Sequence, residues 1–418
     1  MLGAIADDFT GATDLAAMLR RSGHSVIVVI EDSSPDATQV ASADAVVVAL
    51  KIRSCPAVEA VDAALAALSR LQEWGANRIY IKYASTFDST PQGNIGHVLD
   101  AVAGRLGVER CVVVPALPEN GRTVYQGHLF VHDQLLAESP MKDHPLNPMR
   151  RSRVAEVLEP QTKLPVSEIH ESEVRSGAGR LRELLARRSG HVVIDAIDDG
   201  DLELIGAAVS DEPLVSGGSG LALGLTGGSG DTSPPVAWPE PGSGAVLCGS
   251  VSSATRRQIE IASKEAPVRT IDLKKAVADP SSEAESLAQW VTQHASPTTP
   301  SDPGAHPVVC AARSLGDVVR EIDGIDVAAT VETVLSQVAR RLVSWDAVRA
   351  ILIGGGESSG AVVRELGIEV LAIGTEISPG VCWSAARTRY SGDRTVALAL
   401  KSGNFGGDRL FLDAWELL

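Results

Sequence analysis

The sequence has no excess of positive charge, no paired cysteines, no long apolar run and no basic leader. Each absence removes a class of function. Lys and Arg number 37 against 53 Asp and Glu, a net charge of −16. A nucleic-acid surface leaves a basic footprint, so nucleic acid is not expected as a partner. Five cysteines, at 55, 111, 248, 310 and 382, form no C-x-x-C pair. Their odd count and wide spacing read as reduced, mostly buried thiols. No apolar run approaches the ~18 residues that would mark a membrane span. MLGAIADDFTGATD has neither a basic n-region nor a long apolar h-region, so no signal peptide is visible. The expectation is a cytoplasmic protein with no membrane partner. His128 and His132, four apart in HLFVH, have no acidic or Cys partner nearby. VYQGHLFV therefore reads as a strand with histidines at its edges rather than as half a metal site.

What is present is a globular chain of 418 residues, 44% hydrophobic and 22% charged, long enough for two domains. Val/Ile/Leu-rich runs alternate with amphipathic stretches. SVIVVI (25–30), ADAVVVAL (43–50), RIYIKY (78–83), ERCVVVPAL (109–117) and HVVIDAI (191–197) read as strands, and AVEAVDAALAALSRLQEW (57–74) as a helix. This order implies an α/β fold with mostly parallel sheets flanked by helices. TGGSGDTSPPVAWPEPGSG (226–244) is too rich in Gly, Ser and Pro for either element and reads as an interdomain linker. The expected division is residues 1–232, a linker at 233–244, and residues 245–418, where the alternation restarts.

Three turns in the second domain share one design. AILIGGGESSGAVVREL runs from strand through Gly354, Gly355 and Gly356 into a helix that Ser358 and Ser359 can cap. AVLCGSVSSATRRQIE ends a strand at Gly249, then presents Ser250, Ser252, Ser253 and Thr255. TVALALKSGNFGG ends in Lys401, Ser402, Gly403 and Asn404. All lie at carboxyl ends of strands, where open α/β sheets bind ligands, and exposed helix N–H groups favour an anion. Together they point to a nucleotide phosphate site. No Lys follows the glycines as in a Walker A loop. GGGESSG with Glu376 about 20 residues on partly matches a dinucleotide fingerprint, which keeps an NAD-dependent dehydrogenase as an alternative. That fingerprint normally opens its domain, and here only about 60 residues follow.

The first domain offers a different chemistry. MLGAIADDFTGATDLAAMLRRSG is a strand, then Asp7 and Asp8, then a helix. Asp8, Thr10 or Thr13 can cap that helix. Otherwise a carboxylate here accepts hydrogen bonds from substrate hydroxyls or takes a hydroxyl proton. In KYASTFDSTPQGNIG (82–96), Lys82 is a local cation for a carboxylate or phosphate, while Ser85, Thr86, Asp88, Ser89 and Asn94 offer partners to hydroxyls. Lys51 and Arg53, in ALKIRS, add cationic donors. A small polyhydroxy acid fits this inventory; the plainer alternative is a surface loop tied by its own side chains. Asp88 joins Asp8 and Asp7 as a candidate base.

IADDFTGATD, KYASTFDSTPQGNIG, PALPENGRTVYQGHLFV, HPLNPM, GGSGLALGL, GSVSSAT, GGGESSG and LKSGNFGG resemble the four-carbon acid sugar kinases along the whole chain. The resemblance implies an N-terminal acid-sugar domain, a C-terminal ATP domain and reaction in an interdomain cleft, with ATP and Mg²⁺ as cofactors. TVYQGHLFV and DHPLNPM resemble the 3-oxo-tetronate kinases of that family, which phosphorylate a 4-hydroxyl, rather than the D-threonate or D-erythronate kinases. Carried over by motif, the ATP site involves Ser252, Gly355, Gly356, Glu357, Ser358 and Gly403. Ala84 stands where the family has Cys, His97 where it has Pro, and Ser358 where it more often has Thr. A non-catalytic acid-sugar sensor is a further alternative. The Mg²⁺ ligands and the choice between monomer and homo-oligomer stay open.

Overall fold

The computed structural model describes residues 1–143, 147–230, 238–240, 242–296, 306–392 and 394–418. The chain divides into two compact units, Met1–Ser233 and Pro234–Leu418.

The first unit is built on eight parallel strands. They are β1 Leu2–Ala6, β2 Val26–Ile30, β3 Ala45–Ala49, β4 Arg78–Lys82, β5 Arg110–Val114, β9 Val166–Ile169, β10 Gly190–Ile194 and β11 Leu214–Gly217. Their order is β2-β3-β1-β4-β11-β5-β10-β9. Runs such as VIVVI and AVVVA are buried at every position, as expected of parallel strands covered on both faces. The helix Ala57–Glu73 lays Ala60, Ala64, Ala67, Leu68 and Leu71 inward, one stripe at helical spacing. The helix Phe9–Arg21 is buried from Phe9 through Leu19, so its polar Thr10, Thr13 and Asp14 go into the interior with it. Ala6 pairs level with Ala49 and with Lys82, so β1, β3 and β4 finish together. From β1 the chain leaves toward β2, and from β4 it leaves the other way, toward β5. A crevice between two such ends is where this architecture takes ligands.

VYQGHLFV is not one strand. It is a hairpin of β6 Arg122–Tyr125 and β7 His128–Val131, with β8 Gln134–Leu135 as a third antiparallel strand. Gln126 and Gly127 turn the chain at φ 51° and 73°, the left-handed pair that two-residue hairpins require.

The second unit repeats the plan. Its strands are β12 Gly244–Cys248, β13 Val268–Thr270, β14 Val308–Cys310, the short pair β15 Glu321–Ile322 and β16 Ile325–Asp326, then β17 Ala350–Gly354, β18 Val370–Ser378, β19 Val381–Arg387 and β20 Thr395–Lys401. The main sheet runs β13-β14-β12-β17-β20-β19-β18. The first five are parallel, while β19 is antiparallel to both neighbours. Trp383 on β19 and Trp415 near the C-terminus close this core with ring centroids 5.3 Å apart. The Trp383 indole N–H reaches Ala414 O at 2.9 Å.

Within the stretch expected to link the domains, 231–237 and 241 lie outside the described residues. The described parts pack closely. Ser229 donates to Asp44, Trp238 lies against Gly374, and Ser243 Oγ reaches Ala347 O at 2.7 Å.

Candidate functional site

Each unit gathers polar groups where its strands end. In the first, Asp7 leaves β1 and its carboxylate receives both arms of Arg53, Nε at 2.8 Å and Nη2 at 2.7 Å. The third guanidinium nitrogen reaches Asp8 at 2.7 Å. This planar two-pronged pairing is the strong form of the arginine–carboxylate contact. Arg53 is brought there by its own backbone: the amides of Ile52 and Arg53 both donate to Asp7 O. Asp8 also caps the helix Phe9–Arg21, accepting from Gly11 N at 2.6 Å. Capping and ion pairing therefore coexist in one carboxylate. Burial works against the Arg53 charge, but Asp7, then Asp8, then Asp88 outweigh it and raise the basicity of Arg53. Burial pushes the Asp7 carboxyl up while Arg53 pulls it down.

Lys82, at the end of β4, is buried, with Nζ 3.0 Å from Tyr83 O and 3.6 Å from Asp14 Oδ2. Asp14 is also buried, and burial pushes its carboxyl up against the pull of Lys82. A methyl group on Gly11 would stand 3.2 Å from Lys82 Nζ and 3.4 Å from Arg53 Nη2. The missing side chain at Gly11 thus lets Asp8 and both cations close in on the backbone, since a methyl there would also stand 2.5 Å from Asp8 Oδ1. A cavity of about 20 Å³ lies against Asp7, Lys82 and Asn94, room for one water.

The loop after Lys82 is strained and pinned. Phe87 is fully buried at φ 48°, a conformation a bulky side chain avoids. Its N–H to Ala84 O and an edge-on contact with Tyr83, centroids 5.0 Å apart, hold it there. Thr86 and Asp88, on either side, are bonded to each other at 2.6 Å. Ser85 is buried at the loop's start, while Asn94 gives both amide hydrogens to Ile52 O and Cys55 O, tying this loop to the one that carries Arg53. Lys51 is exposed. The structure therefore groups Asp7, Asp8, Arg53, Lys82 and Asp88, uses Asn94 as a tie, and leaves Lys51 at the surface.

In the second unit, β12, β17 and β20 are neighbours, so the three glycine turns stand side by side. Backbone bonds lock them: Ser250 N donates to Gly354 O and Gly355 N to Lys401 O. Gly355 has φ 119°, and a methyl there would approach Ser250 N to 3.2 Å. The turn is a backbone cradle that a side chain would fill. Ser252 caps the helix Ser253–Ala262 and Gly355 opens the helix Gly356–Glu365, so two helix N-termini meet here, the donor set that phosphate needs. Ser358 is buried, its Oγ standing 2.2 Å from where Gly249 would carry a Cβ, and Glu357 is exposed. Gly403 O accepts from Ser252 Oγ at 2.5 Å and Thr255 Oγ1 at 2.8 Å. GGGESSG follows β17, in mid-unit, and Glu376 lies on β18, which departs from a dinucleotide fingerprint.

Among the described residues no group of three or more His, Cys, Asp or Glu is placed to hold a metal, and no helix is long and apolar enough to cross a membrane. His128 and His132 stand at opposite ends of β7, His128 bonded to Gln126 O. The five thiols are free. Sequence reasoning passed over Gly11 and Asp14, and it placed Lys401 in a phosphate turn without giving its side chain a role of its own. A carboxylate on the buried face of GATDLAAML and a lysine closing the apolar run TVALAL were the available signals.

Residues 2–225 match the model of a sugar-binding N-terminal domain and residues 245–411 that of a nucleotide-binding C-terminal domain. A 3-oxo-tetronate kinase of Salmonella typhimurium is 40% identical, with 99% of this chain and 98% of that protein covered. The 3-oxo-tetronate kinase of Pseudomonas fluorescens is 41% identical, over 99% and 96%, and that of Escherichia coli 41%, over 90% and 98%. A crystal structure from Salmonella typhimurium superposes with TM-score 0.85 at 38% identity, covering 99% of this chain and 98% of that one. One from Haemophilus influenzae gives 0.76 at 37%, covering 99% of both. The chain belongs to the four-carbon acid sugar kinase family, alongside its 3-oxo-tetronate kinases.

Proposed function

We propose that the protein is an ATP-dependent kinase that phosphorylates the 4-hydroxyl of 3-oxo-tetronate. The supporting observation is 40% identity over 99% of the chain to a 3-oxo-tetronate kinase, a span that contains both strand-end clusters. In the first unit, Lys82 pairs with the substrate carboxylate, with Arg53 beside it and Lys51 on the same loop as Arg53. Ser85 and Thr86 meet the hydroxyls and the keto oxygen, while Asn94 fixes the loop that presents them. Asp7 and Asp8 are both held by Arg53. Asp88, whose partner is the Thr86 hydroxyl, is the carboxylate we assign to the 4-hydroxyl proton.

In the second unit Ser252, Gly355, Gly356, Ser358 and Gly403 form the nucleotide cradle. ATP supplies the transferable phosphoryl group. Mg²⁺ needs only one or two carboxylates beside phosphate oxygens, and Glu357 is the acidic side chain at that turn. Positioning and charge neutralisation are most of what phosphoryl transfer asks of a protein.

The test is ADP release with each sugar in turn. A site built for hydroxyls and a keto oxygen rejects analogues that leave its buried groups unpaired. Turnover of 3-oxo-tetronate should exceed that of D-threonate and D-erythronate and far exceed that of erythrose. Preference for threonate would move the protein to the sister activity. Equal turnover of erythrose would contradict the carboxylate pairing, and NAD reduction without ADP release would replace the kinase reading.

A further inference from the structure

Lys401 ends β20 and is fully buried. A lysine closing an apolar strand must have its charge met, and its three N–H groups do find acceptors. Thr255 Oγ1 lies at 2.9 Å, Ser402 O at 3.0 Å and Gly403 O at 2.9 Å. All three are neutral oxygens. The elements packed around the ammonium supply little charge. β12 contributes the Cys248 thiol, which burial pushes up to about 12 and so keeps neutral. The helix Leu410–Asp413 contributes the ring of Phe411, 6.0 Å away. The helix Ser253–Ala262 contributes Thr255, while its Arg256 turns to Val251 O. Glu357, on the helix Gly356–Glu365, is exposed. Among the described residues, no carboxylate acts on this cation.

The geometry has a second consequence. In a trans peptide the C=O and N–H point in opposite directions. Lys401 draws Ser402 O and Gly403 O toward itself, and Gly403 O also takes the hydroxyls of Ser252 and Thr255, which directs the N–H groups of Gly403 and Asn404 away from the lysine. Successive N–H groups presented in this way form an anion-binding concavity.

We propose that Lys401 is the buried counter-charge of the nucleotide phosphates: it positions the Gly403–Asn404 amides for them, and it takes up a proton when the nucleotide binds in alkaline solution. The inference rests on the nucleotide reading of the second unit. Burial lowers the lysine to about 8, so at pH 8.5 roughly three-quarters of the molecules carry it neutral, by the ordinary titration relation. An anion close by restores the charged form.

Calorimetry of ATP binding at pH 8.5, in two buffers of different ionisation enthalpy, counts that proton. The wild-type protein should take up about three-quarters of a proton. Lys401→Met should lose the uptake and roughly tenfold to hundredfold in affinity, the range for a hydrogen bond involving a charge. Lys401→Arg should keep most of the affinity and lose the uptake. Wild-type binding with no proton uptake would overturn the proposal, and that result does not depend on whether Lys401→Met folds. Failure of the wild type to bind ATP at all would overturn the nucleotide reading and this inference with it, whereas ATP binding without uptake overturns the inference alone.

Discussion

Gly11→Ala separates stability from function in the first unit. Gly11 is the third residue of its helix, and its N–H holds Asp8 Oδ1 at 2.6 Å. Alanine in a helix is favoured over glycine by about 1 kcal/mol. Against that, the new methyl would sit 2.5 Å from Asp8 Oδ1 and must push it aside. A weakened N-cap costs about 1 kcal/mol. The two effects nearly cancel, so the melting temperature should move by less than about 3 °C, since 1 kcal/mol is worth roughly 2–4 °C in a unit of this size. Function has no such compensation. The same methyl lies 3.2 Å from Lys82 Nζ and 3.4 Å from Arg53 Nη2, the two cations proposed to face the acid sugar. Misplacing these groups by a fraction of an ångström should lower kcat/KM for the acid by roughly tenfold to hundredfold, mainly through KM, with ATP affinity unchanged. Steady-state kinetics, thermal melting and ATP calorimetry read the three quantities. An unchanged melting temperature together with kcat/KM within twofold of wild type would refute the placement of substrate beside Gly11.

Gly355→Ala forces a side chain into φ 119° and toward Ser250 N. The strain, about 1–3 kcal/mol, should appear as lost stability, and the methyl in the cradle should cost at least tenfold in ATP affinity by calorimetry; an unchanged Kd would show that this turn does not cradle phosphate. Arg53→Met leaves Asp7 and Asp8 without their shared cation and should cost about 3 kcal/mol of stability at pH 7. Asp7 is already raised by burial above its ordinary 3.8; a folded state that holds the proton longer than the unfolded one loses stability as pH rises through the range above 3.8. Without Arg53 that range extends upward, so urea denaturation should find the variant's deficit smaller at pH 4 than at pH 7, and equal deficits would exclude Asp7 ionisation as the cause.

The sheets were legible because parallel strands covered on both faces must be apolar throughout: VIVVI and AVVVA admit little else. Their order was not, because crossovers such as the one that seats β11 between β4 and β5 leave no local mark. The hairpin at 122–131 was misread since its turn, Gln126-Gly127, lacks the Asn-Gly or Asp-Gly signature. The strand VCWSAAR went unread because small residues dilute its pattern. In the candidate site, Asp7, Asp8 and Lys82 stood out as charges that end apolar runs. The grip of Arg53 on Asp7, across 46 residues, is a product of β3 lying beside β1. The tie of Asn94 to Ile52 and Cys55 likewise follows from tertiary packing alone.

On the proposed reading, two buried lysines let a chain of net charge −16 meet two anions. Lys82 and Lys401 each close a parallel strand, and each bonds the carbonyl of the next residue at 3.0 Å. Their surroundings differ. Around Lys82 and Arg53 stand four carboxylates, Asp7, Asp8, Asp14 and Asp88. Fully ionised, this group carries about two negative charges, which suits hydroxyl recognition and proton abstraction but opposes a substrate carboxylate. Asp7 and Asp14 relieve the conflict, because burial pushes both carboxyls up and a proton on either reduces the repulsion. The Lys82–Asp14 separation of 3.6 Å is longer than the ~2.8 Å of a charge-assisted hydrogen bond, so the ammonium keeps part of its attraction for an incoming anion. Lys401 meets no carboxylate among the described residues. Its environment has a positive balance that an external anion would correct. By charge alone, the first unit is suited to a hydroxyl-rich monoacid and the second to a polyphosphate.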